Sequence, residues 1–225
     1  MATATIKAAA ALAAAGLLGL AGWLGVTDWA PSTARYPLQG IDLGADPPAV
    51  EWGTVRARGA DFAYLVATSG ENGRDPGFEA NWAALPDAGL RRGAVHVYSL
   101  CRPPLAQANA FNAFVPRTVD ALPSAVDIDF REDCAARPDR ATLVGDLERF
   151  LATVETHTGK PMLLRISRAV ETRYRLTEAI ARPVWAIGDF LPPGYTARAW
   201  RMWRASAYRR IGGIDRPVNW DVVAR

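Results

Sequence analysis

Short apolar runs alternate with longer amphipathic stretches along most of this chain. The strand-like runs fall at residues 40–43, 61–68, 93–100, 125–130, 161–166 and 183–187, and two more, at 199–205 and 218–223, follow each other near the end. Between the earlier runs sit helical patterns at 47–58, 76–88, 104–114 and 140–156, each opening at or near Pro or Asp, residues that suit a helix's first turn. Strand, helix, strand in succession predicts parallel strands, hence an α/β barrel or an open sheet. Helices become sparse after Arg182, and neither a repeat nor a second composition regime breaks the pattern, so one domain is expected over 39–225.

The N-terminus follows a different rule. The run that starts at Ala8 and ends at Val26 is uncharged, with Lys7 before it and Asp28 after it. As a helix it would reach about 28 Å, near the thickness of a bilayer's hydrocarbon core. Signal-peptide cores are shorter and end at a small-residue cleavage site, whereas Thr27-Asp28-Trp29-Ala30-Pro31 suits cleavage poorly. Residues 1–29 are therefore expected to be a membrane anchor, with a cleaved signal as the alternative, and residues 30–38 a tether. Lys7 on the near side sends the remainder out of the cytoplasm under either reading. In an oxidising space Cys101 and Cys134, the only cysteines, can pair, since both lie just past expected strands.

Composition narrows the chemistry. Half of the 225 residues are apolar and 22% are charged, which fits a packed core. The net charge of +3 comes from arginines scattered among acids rather than from a basic stripe, so nucleic acid is not the expected partner. The chain has no Gly-x-Ser-x-Gly elbow, no phosphate-cradling Gly-rich loop with Lys, and two distant histidines, so no metal or other cofactor is implied. His157 suits a helix C-terminus, and His96, inside an apolar strand, reads more readily as a satisfied core residue than as a catalyst.

Carboxylates remain. Asp42 ends the first strand, and Asp127 and Asp129 lie two apart in Ala-Val-Asp-Ile-Asp-Phe, pointing to one side of a strand. Two acids among Val126, Ile128 and Phe130 are expected to repel, so that one keeps its proton near neutral pH. A charged carboxylate beside a protonated one is what glycoside hydrolysis uses. The alternative is that both bind loop backbone at a barrel mouth.

From Gly40 to Val223 the chain resembles glycoside hydrolase family 25, the Chalaropsis-type lysozymes. The resemblance is carried by Gly40-Ile41-Asp42, Trp52 with Val55, Asp61-Phe62-Ala63-Tyr64-Leu65, Ala67-Thr68, Asp75-Pro76-Gly77-Phe78 and Asn81-Trp82. Further along come the segment from Gly89 to His96, Leu122-Pro123 with Val126-Asp127-Ile128-Asp129, and Trp200 with Trp203. The resemblance implies an irregular (β/α) TIM-like barrel of (β/α)5(β)3 type, a monomer that cleaves the β-1,4 bond after N-acetylmuramic acid in peptidoglycan. It gives Asp129 the role of acid, Asp127 that of stabiliser of the acetamido group, and Asp42 that of supporting carboxylate. His96, Tyr98, Trp203, Asn219 and Asp221 are implied to contact substrate.

Several matched positions depart from the family's pattern. Asp129 stands where the family has Glu, Gly44-Ala45-Asp46 replaces a His-Trp or His-Gln stretch, and Val95 replaces an aromatic residue. Ala67-Thr68-Ser69-Gly70 stands for Ala-Thr-Glu-Gly, Trp203-Arg204 for Trp-Gln, and Asn219-Trp220-Asp221 for Asp-x-Asn. A weakened or inactive barrel that binds wall glycan or a protein is therefore the second expectation.

Overall fold

The structure, a computed structural model, describes residues 2–225, with side chains from Leu12 onward. After helix α1 (Ala2–Asp28) the chain forms β1 (Gln39–Leu43), α2 (Trp52–Ala57), β2 (Phe62–Ser69), β3 (Gly73–Arg74), α3 (Phe78–Asp87) and β4 (Arg91–Val97). It continues with α4 (Pro104–Phe114), β5 (Ala125–Ile128), α5 (Arg140–Thr158), β6 (Leu163–Ile166), α6 (Arg168–Tyr174), α7 (Leu176–Ala179), β7 (Val184–Ile187), β8 (Trp200–Arg209) and β9 (Val218–Val223).

Eight of these strands close into a barrel in the order β1-β9-β8-β7-β6-β5-β4-β2, because β1 also pairs with β2. Pairing is parallel from β1 through β8 and antiparallel on both sides of β9. Five strand–helix units followed by three strands match the (β/α)5(β)3 expectation. The short β3 hangs on β2 as a hairpin outside the barrel.

Alternation along each strand splits the core in two. Phe62, Tyr64, Val66, Val95, Ala125, Leu163, Trp185 and Met202 fill the barrel's interior. Ile41, Leu65, Ala94 and Ile166 point outward to meet the helices. α5 shows why such helices form: Leu143, Leu147, Phe150, Leu151 and Val154 recur on one face, Asp139 caps its first turn at Thr142, and Gly159 ends it at φ 72°. Gly93 is required by packing, since a Cβ there would lie 2.2 Å from the Tyr64 ring.

Three local expectations are corrected. Residues 47–51 are not helical, because the Pro47-Pro48 pair keeps the chain extended until Trp52. The α6 and α7 turns at 168–179 lie in a stretch where no helix was expected, although Ser167 accepts a bond from the Val170 N–H as an ordinary N-cap. The tether at 30–38 is packed: Tyr36 is buried against Trp200 and Trp203, and the Gln39 amide donates to the Pro31 and Tyr36 carbonyls.

The spanning anchor expected over residues 8–26 is not supported: no helix among the described residues is long and apolar enough to cross a membrane. Residues 8–11 of that run fall outside the described side chains. From Leu12 on, Leu17, Leu18, Leu20, Trp23 and Leu24 are at least half exposed. The helix joins the barrel at its last turn, where the Arg210 N–H donates to the Thr27 carbonyl at 2.8 Å.

Candidate active site

At the C-terminal end of the parallel strands the barrel interior turns from apolar to ionic. Asp42 on β1, Asp127 on β5, Arg165 on β6 and Asp221 on β9 all project inward there and are all buried. Register brings them together: Asp127 is level with Arg165, Gly40 with Asp221, and Asp42 with Asn219.

Arg165 lies at the centre. Its Nη2 is 3.2 Å from Asp42 Oδ1, its Nε is 3.9 Å from Asp127 Oδ1, and its guanidinium sits 4.8 Å from the Trp185 ring centroid. Burial alone would lower its affinity for a proton, yet the surrounding carboxylates, Asp42 first, push it above the ordinary arginine value. Asp127 also accepts from the Arg131 guanidinium on the following loop. The expected repulsion between Asp127 and Asp129 is therefore not the governing interaction, because two cations flank Asp127.

The carboxyl whose proton affinity is raised here is Asp221. Its Oδ1 accepts from Trp185 Nε1 at 2.8 Å, while Oδ2 finds no donor among the described residues. Burial first, and then the Asp42 charge, push its pKa well above the ordinary 3.8. Protonated, Asp221 would offer one acceptor and one donor, as an amide does. Asp42 accepts from Arg165 and from Asn219 Nδ2 at 2.9 Å.

Asp129 lies one residue past the end of β5 and is half-buried. Its Oδ1 accepts from the Phe130 N–H at 2.8 Å, and no cation pairs with it within 4.0 Å among the described residues. A rim groove runs between Gly70, Asn72, Val97, Tyr98, Ser99, Arg102 and Arg131, the last of which pairs with Asp127. The disulfide between Cys101 and Cys134 ties the loops after β4 and β5 at this rim. A separate apolar pocket, among Phe62, Tyr64, Leu163 and Met202, opens at the opposite end of the barrel, far from the carboxylates.

Two residues implied to contact substrate, His96 and Trp203, lie elsewhere. His96 is fully buried on the helix side of β4, bonded to Thr68 at 2.8 Å and to Gln107 at 3.2 Å, and stacked on Phe150. Burial, only partly opposed by Gln107, pushes its pKa down to about 4, so it is neutral. Tyr98 packs edge-on against Phe150, with its phenol pKa raised by burial, and also lines the rim groove. Trp203 is covered by Tyr36 and Trp29, and its indole donates to the Gly188 carbonyl. Asn219 and Asp221 do reach the site, through Asp42. Sequence reasoning missed Arg165 and Arg131; the signal for the first was a charge inside the apolar run Met162-Leu163-Leu164-Arg165-Ile166, at an inward-facing position. Among the described residues no group of three or more His, Cys, Asp or Glu side chains is placed to hold a metal ion.

The sequence pattern of glycosyl hydrolases family 25 matches residues 41–214. The chain is 30% identical over 196 residues to the uncharacterized protein YegX of Escherichia coli O6:H1, covering 84% of this chain and 70% of that one. It is 27% identical over 202 residues to lysozyme M1 of Streptomyces globisporus, covering 81% and 66% of the two chains. Among solved structures, a bacterial lysozyme from Streptomyces coelicolor aligns with a TM-score of 0.74 at 24% identity, over 83% of this chain and 91% of that one. A family 25 glycosyl hydrolase from Bacillus anthracis aligns at 0.77 and 22% identity, over 86% and 91%. At these identities the structures show a shared fold.

Proposed function

The chain belongs to glycosyl hydrolases family 25, and from that premise we propose that it is a muramidase hydrolysing the β-1,4 bond after N-acetylmuramic acid in peptidoglycan. Asp129 is the general acid, delivering a proton to the leaving glycosidic oxygen. Asp127, fixed by Arg165 and Arg131, orients the acetamido group and holds negative charge near the reacting carbon. Asp42 supports the constellation, with Asn219 and Asp221 orienting it. His96 and Trp203 serve packing, and the rim groove, with Tyr98 in its lining, takes over substrate contact.

One contrast carries this reading. Asp127 is buried and ion-paired, whereas Asp129, two residues on, stands half-buried at the mouth without a cation. One carboxylate is thus fixed by ion pairs and the other is open to a substrate. The same reading sets the barrel on the extracytoplasmic side, at the membrane face where its substrate lies. The exposed leucines of α1 support that location.

A second reading, a barrel that binds wall glycan or protein without turnover, draws on Arg165: its contacts with Asp42 and Asp127 neutralise much of the charge an oxocarbenium-like transition state would use. Muropeptide release from purified peptidoglycan separates the two. The muramidase reading expects soluble muropeptides with a muramic acid reducing end from wild type and a loss of about 10²-fold or more in Asp127→Asn. Wall binding with no release from either protein would establish the second reading.

A further inference from the structure

The β8–β9 hairpin reaches well beyond the barrel. The last residue of β7, Ile187, is level with Arg204, and β8 runs on to Arg209, roughly 16 Å further along the strand. The hairpin tip therefore stands out from the same end of the barrel as Asp42, Asp127 and Asp129. Three arginines meet at this tip. Arg209 lies flat on Trp220, 3.9 Å from the ring centroid, which leaves its Nε and Nη1 buried with no hydrogen-bond partner among the described residues. Arg58, from the end of α2, lies against the turn, its Nε 3.2 Å from where a Cβ on Gly212 would be. Arg210 follows, its backbone bonded to Thr27.

Together with Asp28, Ile211 and Gly212 they line one recess. Asp28 is the only acid in it, so three positive charges face one negative. None of the three arginines makes an ion pair within 4.0 Å among the described residues. Directly from this recess rises α1, with Trp23 53% and Leu24 50% exposed in its last turns and Leu20, Leu18 and Leu17 beyond them. A soluble phosphate would account for the guanidiniums but not for an apolar helix starting at the same spot. A phospholipid accounts for both: its phosphate meets the arginines and its acyl region the leucines, with a tryptophan at the boundary as interfaces favour.

We propose that Arg58, Arg209 and Arg210 bind the phosphate of an anionic phospholipid headgroup and so seat the mouth of the barrel against the membrane surface. The consequence for the family reaction is a choice of substrate: the mouth is turned toward glycan strands lying next to the membrane. The inference rests on the membrane-side location proposed above and not on turnover.

The test is cosedimentation of the full-length protein with vesicles of phosphatidylcholine alone or rich in phosphatidylglycerol, at physiological salt. Each arginine at an anionic surface is worth about fivefold in binding, so the exposed pair Arg58→Gln/Arg210→Gln should lower the preference for phosphatidylglycerol at least about tenfold. Arg209→Gln should lower it separately. The charge-matched control Arg149→Gln/Arg173→Gln, on α5 and α6, should retain it, and thermal melts identify any variant that has not folded. Equal losses in cluster and control variants would overturn the site in favour of diffuse charge. Equal wild-type binding to both vesicle types would overturn the site while leaving the membrane location standing. Binding to neither would remove the membrane location and the site together. Saturable binding of inorganic phosphate that Arg58→Gln/Arg210→Gln abolishes, with the preference for phosphatidylglycerol unchanged in that variant, would assign the recess to a soluble anion and overturn the lipid proposal.

Discussion

Arg165 and Asp42 are 123 residues apart in sequence and meet inside the barrel, guanidinium to carboxylate at 3.2 Å, with both side chains buried. Each makes the other tolerable: a lone buried charge costs several kcal/mol, and Arg165 also offsets Asp127. Arg165→Met leaves two buried carboxylates without their shared cation. It should cost about 3–5 kcal/mol of unfolding free energy, measured by urea denaturation. Adding Asp42→Asn should recover part of that loss. A cost below about 1 kcal/mol would mean that water already solvates the site and that the ion pairs matter little.

Asp221 ties stability to pH in a direction unusual for an acid. Its folded-state pKa is raised, so the native protein binds more protons than the unfolded chain between the ordinary value of 3.8 and the higher native one. Its contribution is complete below that ordinary value and is lost as pH rises through the window. Asp221→Asn keeps an acceptor for Trp185 and a donor for Asp42 without titrating. The variant should match wild type near pH 4 and melt at a higher temperature above neutral pH. Parallel pH–melting curves for the two proteins would show that Asp221 is ionised in the folded state.

The barrel was legible in the sequence, while the charge balance of its mouth was not. All eight barrel strands announce themselves as apolar runs, and the parity of Asp127 and Asp129 follows from strand alternation. Parity is also where reading failed: His96 and Trp203 occupy positions one step out of phase with Val95 and Met202, which face the interior. A one-residue shift turns a side chain from the site to the helix layer, and a motif match does not show which face it occupies. Arg165 was hidden for another reason. Its partners Asp42 and Asp127 come from β1 and β5, so only barrel closure reveals why an arginine can sit in an apolar strand.

Gly93 gives a steric prediction. Tyr64 lies where a side chain on β4 would go, and its hydroxyl donates to the Pro123 carbonyl at 2.9 Å. Gly93→Ala should force the ring aside and cost about 1–3 kcal/mol, seen as a lower urea midpoint at unchanged slope. An unchanged midpoint would show that the ring yields freely.

The bond between Cys101 and Cys134 spans 33 residues and includes the strand that carries Asp127. Replacing both cysteines with serine should lower stability by about 3–4 kcal/mol on loop-closure grounds. Because the bridge joins two loops at the mouth, wall binding should weaken even at temperatures where the variant is fully folded. Unaltered wall binding by a folded variant would confine the bridge to stability.

The acid itself is the strictest test of the muramidase proposal. Asp129 is one methylene shorter than the Glu of the family pattern, and positioning errors near 1 Å cost on the order of 10²-fold in rate. In this site Asp127 is held by two arginines, while no cation pairs with Asp129 among the described residues. If reach is the limiting defect, Asp129→Glu should preserve or raise muropeptide release, whereas Asp129→Asn should abolish it because an amide has no proton to give. A binding barrel would behave otherwise, with no turnover in any variant and glycan affinity unchanged or increased by Asn. Hydrolysis that survives Asp129→Asn would move the acid role to another carboxyl. Wild type and Asp129→Glu both inactive on intact and fragmented wall would end the muramidase reading.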